Sequence, residues 1–86
     1  MSRYDIAGDN PALRVAVGWD RPLGTFFGYV ADPALDEESN PVLWVGATPP
    51  WLRTVEQLAA AMAGYAVLSA EQRQLLEADQ LAAPAR

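Results

Sequence analysis

Eighty-six residues make one domain, with eleven acids, six basic residues and a net charge of −5. Histidine, cysteine and lysine are all absent, which removes the side chain that titrates near neutrality and most enzymatic nucleophiles and Schiff-base amines. Disulfides and thiolate metal sites go with cysteine, and the acidic balance argues against a bare nucleic-acid backbone or an anionic membrane as partner.

Residues 1–12 read as a polar N-terminal arm interrupted by Gly8 and Pro11, with at most an edge strand at Tyr4–Ile6. The start of the chain has no apolar run of the kind a secretory signal needs, and no stretch approaches the roughly 20 apolar residues of a membrane span. A cytoplasmic protein is therefore expected. Leu13, Val15, Val17 and Trp19 then alternate with Arg14, Ala16 and Gly18, a period of two that predicts a half-buried strand. Pro22 and Gly24 stand where a turn wants them. The stretch from Thr25 to Ala31 is rich in aromatic and β-branched residues, with Phe26 and Val30 on one face and Phe27 and Tyr29 on the other. Two such runs joined by a five-residue turn predict a β-hairpin.

A polar loop follows over 32–41, and Val42 to Val45 form a short apolar strand ended by Pro49 and Pro50, since proline neither donates to a ladder nor continues a helix. The remainder is helical. Thr54-Val55-Glu56-Gln57 and Ser69-Ala70-Glu71-Gln72 both fit the S/T-x-x-E/Q capping box. Val55, Leu58, Ala59 and Met62 share one helical face, with Gly64 as a stop. Leu75, Leu76 and Leu81 are expected to point inward from the second helix. The predicted fold is thus α+β: a three-stranded antiparallel meander over 13–46, then a helical pair over 54–82 packed on one face of it.

The chemistry points to binding. Asp32, Asp36, Glu37 and Glu38 place four negative charges in seven residues. Such a loop is either a solvated surface or a recognition element for arginines and lysines on a partner. Calcium is excluded, because Pro41 stands where an EF-hand loop needs its glycine and Ala47 where it needs a bidentate glutamate. The acids lie mostly in loops and helix starts, away from the paired setting of a glycosidase, and no triad forms without histidine. No enzyme activity, metal or cofactor is expected. The arginines are scattered, so direct nucleic-acid binding is not expected either. Most strand aromatics are expected in the core. Trp51, after the two prolines, is either an exposed aromatic anchor or a lid over the first helix. Glu71, Glu77 and Asp79, with Arg73, are expected on the polar side of the second helix, extending the negative surface as a mimic of a phosphate backbone would.

The string from Val17 to Phe27 (GWD-x-PL-x-TFF from Gly18), with Pro41-Val42-Leu43-Trp44-Val45-Gly46 after the acidic loop, resembles a set of small uncharacterised proteobacterial proteins of plasmids, prophages and other mobile elements. The resemblance covers about residues 15–68 and implies no catalytic residues. In size and charge such proteins resemble anti-CRISPR or anti-restriction factors. The function this implies is inhibition of a host nucleic-acid-targeting defence complex through its basic DNA-binding or assembly surface, with a CRISPR effector favoured over a restriction enzyme. Asp32, Asp36, Glu37, Glu38 and Trp51 would make the contacts. The alternative is a small adaptor or homodimerising domain that uses an open sheet face. Either way the chain is expected to be a monomer or a weak homodimer.

Overall fold

The alternation around Val15 becomes β2 (Arg14–Asp20) and the aromatic run becomes β3 (Thr25–Ala31). They pair antiparallel over their whole length, from Arg14 opposite Ala31 to Asp20 opposite Thr25. Asp20 organises the turn between them. Its carboxylate accepts from the Leu23 N–H at 3.2 Å and its carbonyl from the Gly24 N–H at 2.8 Å. Gly24 sits at φ 65°, in the left-handed region that favours glycine.

The computed structural model, which describes residues 2–84, adds a strand on each side of this hairpin. On one side is β1 (Tyr4–Ile6), with Tyr4 opposite Val17; on the other is β4 (Leu43–Val45), with Trp44 opposite Tyr29. The sheet therefore has four antiparallel strands in the order β1-β2-β3-β4, one more than the three-stranded meander expected. The added strand is the edge strand read at Tyr4–Ile6 within the N-terminal arm, at the same residues. What holds β1 is tertiary: the Ser2 N–H donates to the Trp19 carbonyl, and Tyr4 and Ile6 pack against the core.

Both capping boxes form. In α1 (Val55–Met62) the Thr54 hydroxyl accepts from the Gln57 N–H, and the Gln57 side chain accepts from the Thr54 N–H. Ser69 and Gln72 repeat this at α2 (Ala70–Ala82). Helix α1 stops at Met62, whose carbonyl accepts from both Tyr65 and Ala66 N–H groups. Gly64 is not one of the two glycines at positive φ, so a left-handed glycine cap is not the stop.

The core joins Val15, Val17, Trp19, Phe26 and Val30 of the sheet to Leu58 and Met62 of α1 and Leu76 of α2. Each fully buried side chain of this size contributes about 1.5–3 kcal/mol of apolar transfer free energy. Helix α1 contacts β3 and α2 contacts β2. The α1 contact is close because Gly28 has no side chain: a Cβ there would stand 2.3 Å from Met62 Sδ. Only part of the leucine expectation for α2 holds. Leu76 is buried, but Leu75 is exposed and Leu81 is 82% exposed, because they lie off the helical face on which Leu76, Asp79 and Ala83 meet the sheet.

Candidate functional site

The β3–β4 connection carries the four acids, and it is organised around Asn40. The Asn40 side-chain oxygen accepts from the Asp32 N–H at 2.9 Å. Its amide nitrogen donates to the carbonyls of Asp32, Leu35 and Asp36 at 2.7, 3.1 and 3.3 Å. Two of the acids are used by the loop itself: the Asp32 carboxylate accepts from the Ala34 N–H and the Asp36 carboxylate from the Ser39 N–H. Aspartate side chains stabilise turns in this way. Glu37 and Glu38 differ. They are exposed and make no side-chain hydrogen bond or ion pair among the described residues. Leu35 and Val42 are exposed on the same connection. The loop thus offers two free carboxylates and two aliphatic side chains on an internally braced backbone.

Trp51 is far from these charges. It is half-buried and precedes Leu52, which bridges to Phe26 near the start of β3. Buried Thr25 holds that segment, its hydroxyl accepting from the Leu52 N–H at 2.8 Å, while the Phe26 N–H donates to the Leu52 carbonyl at 2.7 Å. The acidic loop leaves from the other end of β3. Seven strand residues, about 20 Å, separate the two. Asp32, Asp36, Glu37 and Glu38 lie together, and Trp51 does not join them.

The side of the sheet away from the core carries three of the strand aromatics expected mainly in the core, while Trp19 and Phe26 are buried as expected. Phe27, Tyr29 and Trp44 alternate with core residues and point the other way. The Tyr29 and Trp44 rings meet edge to face, with centroids 5.8 Å apart and planes at 83°, a favourable aromatic arrangement. Trp44 is 58% exposed. Phe27 lies over Gly18, where a Cβ would stand 2.5 Å from its ring. Beside this ridge is an open depression of about 740 Å³ lined by Arg3, Ala16, Leu23, Phe27, Tyr29 and Trp44. A second one, of about 540 Å³, runs from Tyr29 toward Asp5, Arg14 and Ala31. The signal for Trp44 was present in the sequence: if Leu43 and Val45 point inward, the residue between them points outward.

The acids of α2 divide. Glu71 and Glu77 are exposed, but Asp79 is half-buried and accepts a hydrogen bond from the Tyr4 hydroxyl. That bond and burial push the Tyr4 pKa above its ordinary value. Asp79 therefore ties α2 to β1 and is withdrawn from any extended phosphate-like row of carboxylates. Among the described residues, no three metal-ligating side chains gather into a group, and no helix is long and apolar enough to cross a membrane. No protein-family model, characterised protein or solved structure matches this chain.

Proposed function

We propose that this chain is a non-enzymatic acidic binding protein whose partner is a protein complex with a basic surface. The observation that carries the reading is the braced loop with Glu37 and Glu38 unengaged at its surface. Preorganisation by Asn40 lowers the entropy lost when a partner orders the loop. Free carboxylates at a rim steer a basic partner and make the complex sensitive to salt. Leu35 and Val42 supply apolar contact beside the charges.

Within that class, the resemblance favours an inhibitor of a host nucleic-acid-targeting defence complex, a CRISPR effector ahead of a restriction enzyme. The net charge of −5 suits occupation of a surface built for a phosphate backbone. A small adaptor or homodimerising domain is a second reading, favoured by the exposed Tyr29–Trp44 ridge. In it both helices pack on one face of the sheet and leave the other face open. The two readings use different surfaces and are compatible.

The test is capture of partners from the bacterial host with the tagged chain, washed at low and then high salt. A CRISPR or restriction complex that elutes with salt, and is lost with Glu37→Arg/Glu38→Arg, is the expected result. Inhibition of the purified complex by the wild-type chain, and not by the double variant, completes it. Unchanged capture by the folded double variant would sink the electrostatic reading.

A further inference from the structure

We infer that α2 is a hinged cover, which leaves the core and returns as a unit while the sheet and α1 stay folded. In the closed form it occupies an apolar strip on β1 and β2 that its departure uncovers.

The first observation is the uneven division of the core. Among the described residues, twelve buried hydrophobic side chains form it, and eleven of them precede Ser69. Helix α2, thirteen residues long, buries only Leu76, and Ala83 just past its end packs against the core half-buried. Leu75 and Leu81 face solvent and add nothing to the docking. A segment held by so little buried surface opens at a lower free energy than the whole fold. An isolated helix of this length is marginal in water, so α2 melts once it has left.

The second observation is where the anchoring stops. The connection between the helices belongs to the body of the fold. Ala66 and Leu68 are buried in it, and the Tyr65 carbonyl accepts from the Asp9 N–H at 2.8 Å. Ser69, the next residue, is exposed and extended, at φ −71° and ψ 163°. The chain is fixed as far as Leu68 and free to swing from Ser69, which places the hinge there.

The third observation is the position of the catches. Three side-chain hydrogen bonds fasten α2, and each reaches a different part of the body. The Tyr4 hydroxyl of β1 donates to the Asp79 carboxylate. The Trp19 indole of β2 donates to the Ala83 carbonyl at 2.6 Å, and the Gln80 amide donates to the Arg53 carbonyl at 3.1 Å, just before α1. All three lie in the last turn of α2 or just past it, at the end away from Ser69. Bonds of this kind are exchanged for bonds to water when they break, so their net hold is modest and reversible. With a pivot at one end and catches at the other, α2 closes over the core-facing side of β2. Opening it uncovers Val15, Val17 and Trp19, with Tyr4 and Ile6 beside them on β1.

Native-state amide exchange of the full chain, followed across low urea concentrations, reads this opening. Amides from Leu76 to Gln80 should exchange at least tenfold faster than the slowest amides of β2 and β3. Their urea dependence should be weaker, because a partial opening exposes less surface. Val30→Ala, in the core on β3, weakens the body in its closed and open forms alike. It should speed the slowest strand amides at least tenfold and leave exchange in α2 unchanged. Tyr4→Phe removes a catch and should speed the α2 amides several-fold while the circular-dichroism spectrum stays native. Equal rates and equal urea dependence for α2 and the strands in the wild type overturn the proposal, and this comparison decides alone if Val30→Ala fails to fold. Parallel acceleration of the α2 and strand amides by a folded Val30→Ala overturns it as well. Unchanged α2 exchange in Tyr4→Phe overturns the role of Asp79 as a catch.

Discussion

The Trp19 indole N–H donates to the Ala83 carbonyl at 2.6 Å, joining the middle strands to the residue that ends α2 across 64 positions of sequence. The Trp19 ring is buried against Phe26, with centroids 4.8 Å apart. One side chain thus fills the core and satisfies one of the carbonyls that a helix end leaves without partners.

Trp19→Phe keeps most of the apolar volume and loses the donor. The half-buried Ala83 carbonyl then lacks its partner, at a cost of about 1–3 kcal/mol. Urea unfolding should show that loss, and amide exchange should speed up first in the last turn of α2. Unchanged exchange there would mean that the indole does not hold the helix end.

Tyr4 and Asp79 make stability depend on alkaline pH. The hydrogen bond to Asp79, with burial and the nearby negative charge, raises the Tyr4 pKa above the ordinary value of about 10. The folded state therefore holds the proton where the unfolded chain has released it, so stability falls as pH rises through that interval. Below about pH 10 the contribution is fully present; it is lost as pH climbs through the raised folded-state value. Thermal melts between pH 8 and 11 should fall more steeply for the wild type than for Tyr4→Phe. Parallel curves would show that the Tyr4–Asp79 hydrogen bond contributes nothing to the alkaline loss.

Asn40→Ala removes the hub of the acidic loop and leaves every carboxylate in place. The loop is solvent-facing, so global stability should drop by only about 1 kcal/mol. Amides over 32–41 should exchange much faster, and capture of the basic partner should weaken although charge is unchanged. Full-strength capture by this variant would show that charge alone, without preorganisation, carries the interaction.

Much of this organisation is local and could be read from residue order. The two long strands followed from period two, the hairpin from Pro22 and Gly24, and both helix starts from hydroxyl–glutamine pairs that act across one turn. The acidic cluster was equally legible, being contiguous. Its internal division was not. That Asp32 and Asp36 serve the backbone while Glu37 and Glu38 stay free depends on how Asn40 folds the loop.

By itself the sequence determined an α+β domain with a central hairpin, two capped helices and an acidic loop, because periodicity and capping act over a few neighbouring residues. Tertiary structure decided the rest. It recruited Tyr4–Ile6 as a fourth strand, set Trp51 at the far end of β3 from the acids, withdrew Asp79 to Tyr4, and left Trp44 exposed beside Tyr29. Alternation sorts a strand's side chains into two sets. Which set becomes the core depends on where the helices, far along the chain, come to rest.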